Sequence, residues 1–153
     1  MTNEQKAKYK IMSFNRCARY CEQKHNNTSI IISITTYEGD LYEKIKITDT
    51  NKVQDILYLS FCDFEYDDMP NGRYMSYEDG KKVAEFVNKW YDKVDTIIVH
   101  CEGGISRSAG VCAGIMRAKE GEDYPVFDNR NKHPNMTCYL QTLKGFNYEL
   151  LKL

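Results

Sequence analysis

The chain has 153 residues, enough for one domain with a buried core, and 21 Lys plus Arg against 22 Asp plus Glu give a formal charge of −1. That balance argues against a general nucleic-acid binder or a polybasic membrane-surface protein, and the 42% hydrophobic share argues against disorder. The opening MTNEQKAKYK holds no apolar stretch and the longest apolar runs are as short as Ile30-Ile31-Ile32, so neither a secretory leader nor a membrane span is expected. A single cytoplasmic domain over residues 1–153, working as a monomer, is the resulting expectation.

In chain order, a weak strand signal at 10–14 comes first. Cys17, Cys21 and His25 follow at i, i+4 and i+8, one face of a helix, where partly buried thiols are a simpler reading than a metal site lacking a fourth ligand. Strand signals recur at 30–35 and 56–61, the second running into Cys62 and Asp63, with Asp67 and Asp68 shortly after. Ser76, with Asp79 three residues on, has the form of an N-cap before a helix carrying Val83, Phe86, Val87, Trp90 and Val94 on one face. A strand at 96–99 precedes a helix over 107–119, apolar nearly all round and therefore buried. A polar surface loop is expected over 121–135 and a last helix over 136–151, with Tyr139, Leu140, Leu143, Phe146 and Leu150 on one stripe. Alternating strands and helices predict an α/β domain, a central mostly parallel sheet flanked by helices. Of the six cysteines, Cys112 and Cys138 read as core residues, and with no CxxC pattern most are expected to be reduced thiols.

The chemistry is concentrated in residues 96–110, T-I-I-V-H-C-E-G-G-I-S-R-S-A-G. A hydrophobic strand passes through a glycine-bearing turn into a helix, which converges backbone N–H groups and a helix dipole on one point and suits an anion. Gly103 and Gly104 are both expected at positive φ, letting the backbone approach phosphate oxygens. No Gly-Lys-Ser/Thr follows, so this is not a Walker-type loop; Cys101 opens it and Arg107 closes it. A free thiol has a pKa of about 8.5, and a helix N-terminus with a nearby guanidinium lowers such values by several units. Cys101 then reads as a nucleophile, and Arg107 as a planar, bidentate grip on two phosphate oxygens.

The run H-C-E-G-G-I-S-R-S resembles the signature loop of the cysteine-dependent protein tyrosine phosphatases, most of all their small dual-specificity branch. L-Y-L-S-F-C-D (57–63) and H-P-N-M-T-C-Y-L-Q-T-L-K (133–144) are similar to flanking segments of that branch, so the resemblance runs from about residue 28 to the end. It implies that fold and a metal- and cofactor-free attack of Cys101 on phosphorus through a phosphocysteine intermediate. The amides of Glu102, Gly103, Gly104, Ile105, Ser106 and Arg107 and the Arg107 side chain would hold the phosphoryl oxygens. Ser108 would assist the departing thiolate and His100 would tune Cys101. Asp63 is the favoured general acid, with Asp67 and Asp68 the alternatives.

The expected substrate is a phosphorylated protein carrying phosphotyrosine, with phosphoserine and phosphothreonine also open. A phosphoinositide or RNA 5′-phosphatase on the same scaffold is the nearest alternative, but Glu102 adds negative charge where polyanions favour lysine. A non-catalytic phosphopeptide-binding module would not need both Cys101 and Arg107. A rhodanese-like sulfurtransferase would not need His100 and Asp63, and an arsenate reductase would need Cys62 or Cys112 as a resolving thiol. Cys62 is also positioned in sequence to protect Cys101 as a disulfide, and Tyr66 or Tyr74 to line the pocket.

Overall fold

The computed structural model describes residues 8–37, 45–65 and 73–148. Its strands are β1 (Tyr9–Ser13), β2 (Ser29–Thr35), β3 (Val53–Ser60) and β4 (Thr96–Cys101), and its helices α1 (Phe14–Glu22), α2 (Tyr77–Trp90), α3 (Arg107–Glu120), α4 (Tyr124–Phe127) and α5 (Met136–Gly145). The strands pair in the order β1-β4-β2-β3, every pairing parallel, which fulfils the expected α/β architecture.

The two central strands are runs rich in Ile, Val, Ser and Thr, β4 ending in His100 and Cys101, and both are buried along their whole length, as a parallel sheet covered on both faces requires. Their two-residue period divides the core. Ile30, Ile32, Ile34, Ile97 and Val99 face α2, α3 and α5 in one cluster, whereas Ile31 and Ile98 meet Phe14, Cys17 and Cys21 of α1 in the other. Among the described residues no helix is long and apolar enough to cross a membrane.

Ser76 caps α2 in a reciprocal capping box with Asp79, as its spacing predicts. The 121–135 stretch is not all loop, because α4 forms there around the buried Val126. Helix α5 stops at Gly145 rather than continuing through 151; Asn147 turns to φ 58°, and Leu150 lies outside the described residues. His25 also departs from its expected helical face. Helix α1 ends at Glu22, leaving His25 stacked on Tyr20 with ring centroids 3.7 Å apart, and no metal-binding group of three such side chains occurs among the described residues.

Helix α5 approaches α3 closely because α3 carries Gly110 and Gly114 on the shared face. A Cβ at Gly110 would lie 2.3 Å from the Asn135 carbonyl oxygen, a backbone atom that cannot swing aside. Gly110→Ala is expected to destabilise the protein by about 1–3 kcal/mol, as overpacked sites do, read as a lowered urea midpoint with an unchanged slope.

Candidate active site

Strand β4 delivers Cys101, 3% exposed, to the C-terminal edge of the sheet, and α3 begins six residues later at Arg107. The carbonyls of the intervening loop are tied outward. Phe14 N–H donates to Glu102 O at 3.2 Å, His133 N–H to Ile105 O at 3.0 Å and Asn135 N–H to Ser106 O at 3.0 Å. Lys132 Nζ donates to Gly104 O at 2.5 Å. The C=O and N–H of a trans peptide point in opposite directions, so these four ties turn the amides of Gly103, Ile105, Ser106 and Arg107 toward the loop's interior. The result is a ring of donors over Cys101, and Gly104 N–H adds a 3.3 Å bond to its Sγ.

Gly104 has φ 69° and a Cβ there would sit 2.6 Å from the backbone of Met12 and Ser13, so only glycine fits. Gly103 differs from the expectation. It does not adopt positive φ, and a Cβ on it would meet only Ile105 at an ordinary 3.9 Å. The tight approach to β1 falls on Gly104 alone, and Gly103 has room for a Cβ.

Ser108 Oγ is 3.1 Å from Cys101 Sγ, in the first turn of α3 and fully buried. His100 is fully buried behind the loop, its Nε2 2.6 Å from Ser33 Oγ and its Nδ1 3.4 Å from Cys101 O. Burial pushes its pKa down to about 4, with a smaller contribution from the Arg107 charge. The neutral ring has one proton, and since a carbonyl only accepts, that proton belongs on Nδ1 while Nε2 accepts from the Ser33 hydroxyl.

Arg107 is 5% exposed and spans to the neighbouring strands, Nη1 donating to Phe61 O at 2.8 Å and to Thr36 Oγ1 at 3.0 Å. Thr36 in turn donates to Glu102 Oε1 at 3.2 Å. Asp63 Oδ1 accepts from Ser106 Oγ at 2.7 Å and from Asn135 Nδ2 at 3.0 Å, so the acid is fastened to the edge of the loop. Asn135 joins three segments: it also caps α5 through Cys138 N–H at 3.0 Å and donates to Phe64 O at 3.1 Å.

A cavity of about 690 Å³ opens above Cys101, walled by Thr36, Asp63, Glu102 and Arg107 and rimmed by Tyr37, Phe64 and Ile105. Arg107 is the only basic side chain among the described residues lining it. The sequence-predicted Cys101, Arg107, Asp63 and the 102–106 loop all meet here, with Ser108 and His100 beneath. Cys62 lines the same cavity, and all six cysteines are free thiols. Cys112 and Cys138 are core residues, and burial pushes the Cys112 thiol up to about 12. Tyr74 is not among the lining residues, and Tyr66, Asp67 and Asp68 lie outside the described ones. The sequence reading missed Ser33, Thr36, Lys132 and Asn135. For Asn135 a signal existed, an N-cap residue opening an apolar helix, but nothing in the spacing tied it to Asp63.

No protein-family model matches the sequence, and no curated protein matches it. Solved structures do match. Human DUSP28 superposes with a TM-score of 0.58 over 95% of this chain and 96% of its own, at 13% identity. Tk-PTP in its active form gives 0.56 over 93% and 91%, at 16% identity. PTPMT1 in complex with PI(5)P gives 0.50 over 78% and 77%, at 14% identity. The chain therefore has the protein tyrosine phosphatase fold, in the compact form shared with dual-specificity phosphatases.

The buried neutral His100 ties stability to pH. Its folded pKa of about 4 lies below the ordinary 6.5, so between those values the unfolded chain binds the extra proton and acid favours unfolding. Wild type is expected to lose up to about 3 kcal/mol from this group as pH falls from 6.5 to 4. Urea titrations at both pH values should show a smaller loss for His100→Asn than for wild type.

Proposed function

We propose that the protein is a metal-independent phosphatase of phosphoproteins, hydrolysing phosphotyrosine monoesters through a phosphocysteine intermediate. The observation that carries this reading is the placement of Cys101 Sγ beneath a ring of inward amides, beside Arg107 and hydrogen-bonded to Gly104 N–H and Ser108 Oγ. A phosphoryl group seated in that ring has its non-bridging oxygens held by amides and guanidinium, with phosphorus in line for attack by sulfur. The S–P bond forms as the P–O bond to the substrate breaks. Asp63 Oδ1 is occupied by two donors, so Oδ2 is the oxygen left to carry the proton given to the leaving group. The resulting carboxylate then takes a proton from water as it attacks phosphorus, and Ser108 Oγ stabilises the departing thiolate.

The mouth of the cavity supports the choice of substrate. Tyr37, Phe64 and Ile105 offer an apolar collar for a phenyl ring. PTPMT1 has been seen with a phosphoinositide, but a polyanionic headgroup needs several cations, and this cavity has Arg107 with Asp63 and Glu102 opposing it. A non-catalytic phosphopeptide-binding module is disfavoured by the same geometry, because a nucleophile and an acid both face the anion seat.

Steady-state hydrolysis of aryl phosphates, with reductant and without metal, tests the mechanism. Wild type should turn over and Cys101→Ser should be inactive. Asp63→Asn should lose about 10²-fold or more on poor leaving groups and far less on good ones, as expected for a missing proton donor. Activity surviving in Cys101→Ser excludes the thiolate mechanism, and a uniform response of Asp63→Asn to leaving group moves the acid to Asp67 or Asp68. A phosphotyrosine peptide should exceed the matching phosphoserine peptide in kcat/KM.

A further inference from the structure

A second cavity, of about 380 Å³, opens between β1, α3 and the connection from α4 to α5. It shares no lining residue with the cavity over Cys101. Its apolar surface includes Ile11, Met116 and Val126, its cations are Arg16 and Lys132, and no Asp or Glu is among the described residues that line it. The lining is mixed, with Tyr9, Asn129 and Asn131 beside that apolar wall, and an apolar wall with two cations and no acid among the described lining residues is complementary to an amphiphile with an anionic head.

Lys132 holds the phosphate loop directly, and Arg16 is joined to its support through the backbone. Lys132 Nζ is the donor that holds Gly104 O outward, and of the four ties on the loop carbonyls it is the only one made by a side chain. Arg16 sits in the first turn of α1, whose N-cap Ser13 forms part of the backbone against which Gly104 packs. An anion at Lys132 competes with a neutral peptide oxygen, and the charge-assisted bond is the stronger.

We propose that this cavity binds an amphiphilic carboxylate, its chain against Ile11, Met116 and Val126 and its acid between Arg16 and Lys132. Occupancy draws Lys132 from the Gly104 carbonyl, releases the peptide that aims Ile105 N–H into the phosphate seat, and slows turnover. The effect on turnover rests on the phosphatase reading above; the binding itself does not.

Decanoate is a suitable probe. In the ¹⁵N-labelled protein it should shift the amide resonances of Gly104 and Ile105 saturably, whereas decanol, which lacks the charge, should bind about tenfold more weakly or worse. Arg16→Gln and Lys132→Gln should each weaken decanoate by a similar factor, and Met116→Trp or Val126→Phe, which fill the cavity from two sides, should block it. In aryl phosphate hydrolysis decanoate should lower kcat and leave KM unchanged, and Lys132→Gln should start from a lower kcat and not respond.

Displacement of decanoate by inorganic phosphate would place it over Cys101 and overturn the proposal. Equal affinity for decanol, or full affinity and inhibition in Lys132→Gln, would overturn it as well. A wild type that hydrolyses no aryl phosphate yet shows the resonance shifts would refute the phosphatase reading and retain the site.

Discussion

The outward tethering of four carbonyls in the loop between β4 and α3 is the constraint on which the site depends. A peptide bond cannot turn its oxygen out without turning the next N–H in, so the donor ring over Cys101 is built from outside the pocket, before any ligand arrives. The tethers come from distant parts of the chain: Phe14 at the start of α1, and Lys132, His133 and Asn135 ahead of α5. Gly104 lies against the end of β1, and Gly110 admits Asn135 close to α3. Thus these glycines, which have no side chain, set where Cys101 and Asn135 stand.

The electrostatics of the seat follow from what is buried. His100 is neutral and fixed by Ser33, so it orients the strand end that presents sulfur without adding charge next to Arg107. Positive charge at the cavity over Cys101 is therefore concentrated in Arg107 and in partial charges on backbone amides. Glu102, held by Thr36, and Asp63, held by Ser106 and Asn135, keep negative charge at the rim.

Much of this was legible in the sequence because it is local. The Ile and Val runs of β2 and β4, the capping box at Ser76 and the all-round apolar α3 each follow from a few adjacent residues, as does the strand-turn-helix with Cys101 and Arg107 at its ends. What the sequence did not reveal depends on pairs separated by thirty or more positions: Ser33 with His100, Thr36 with Arg107, Asn135 with Asp63. Helix α1 was legible in the spacing of Cys17 and Cys21, whose thiols are buried against Ile31 and Ile98, and only His25 falls beyond its end. Gly103 and Gly104 look identical in sequence, and only the proximity of Met12 and Ser13 separates them.

The order in which these parts leave the ribosome has a consequence for biosynthesis. A nascent chain emerged through α3 already holds the four described strands, Cys101 and Arg107, yet three of the four carbonyl tethers and the side chain that fastens Asp63 through its amide are still to be translated. The N-terminal part of a chain emerges first during synthesis. Cys101 therefore emerges in a loop whose amides are not yet all turned inward, and that arrangement is complete only when the segment from Lys132 through α5 docks.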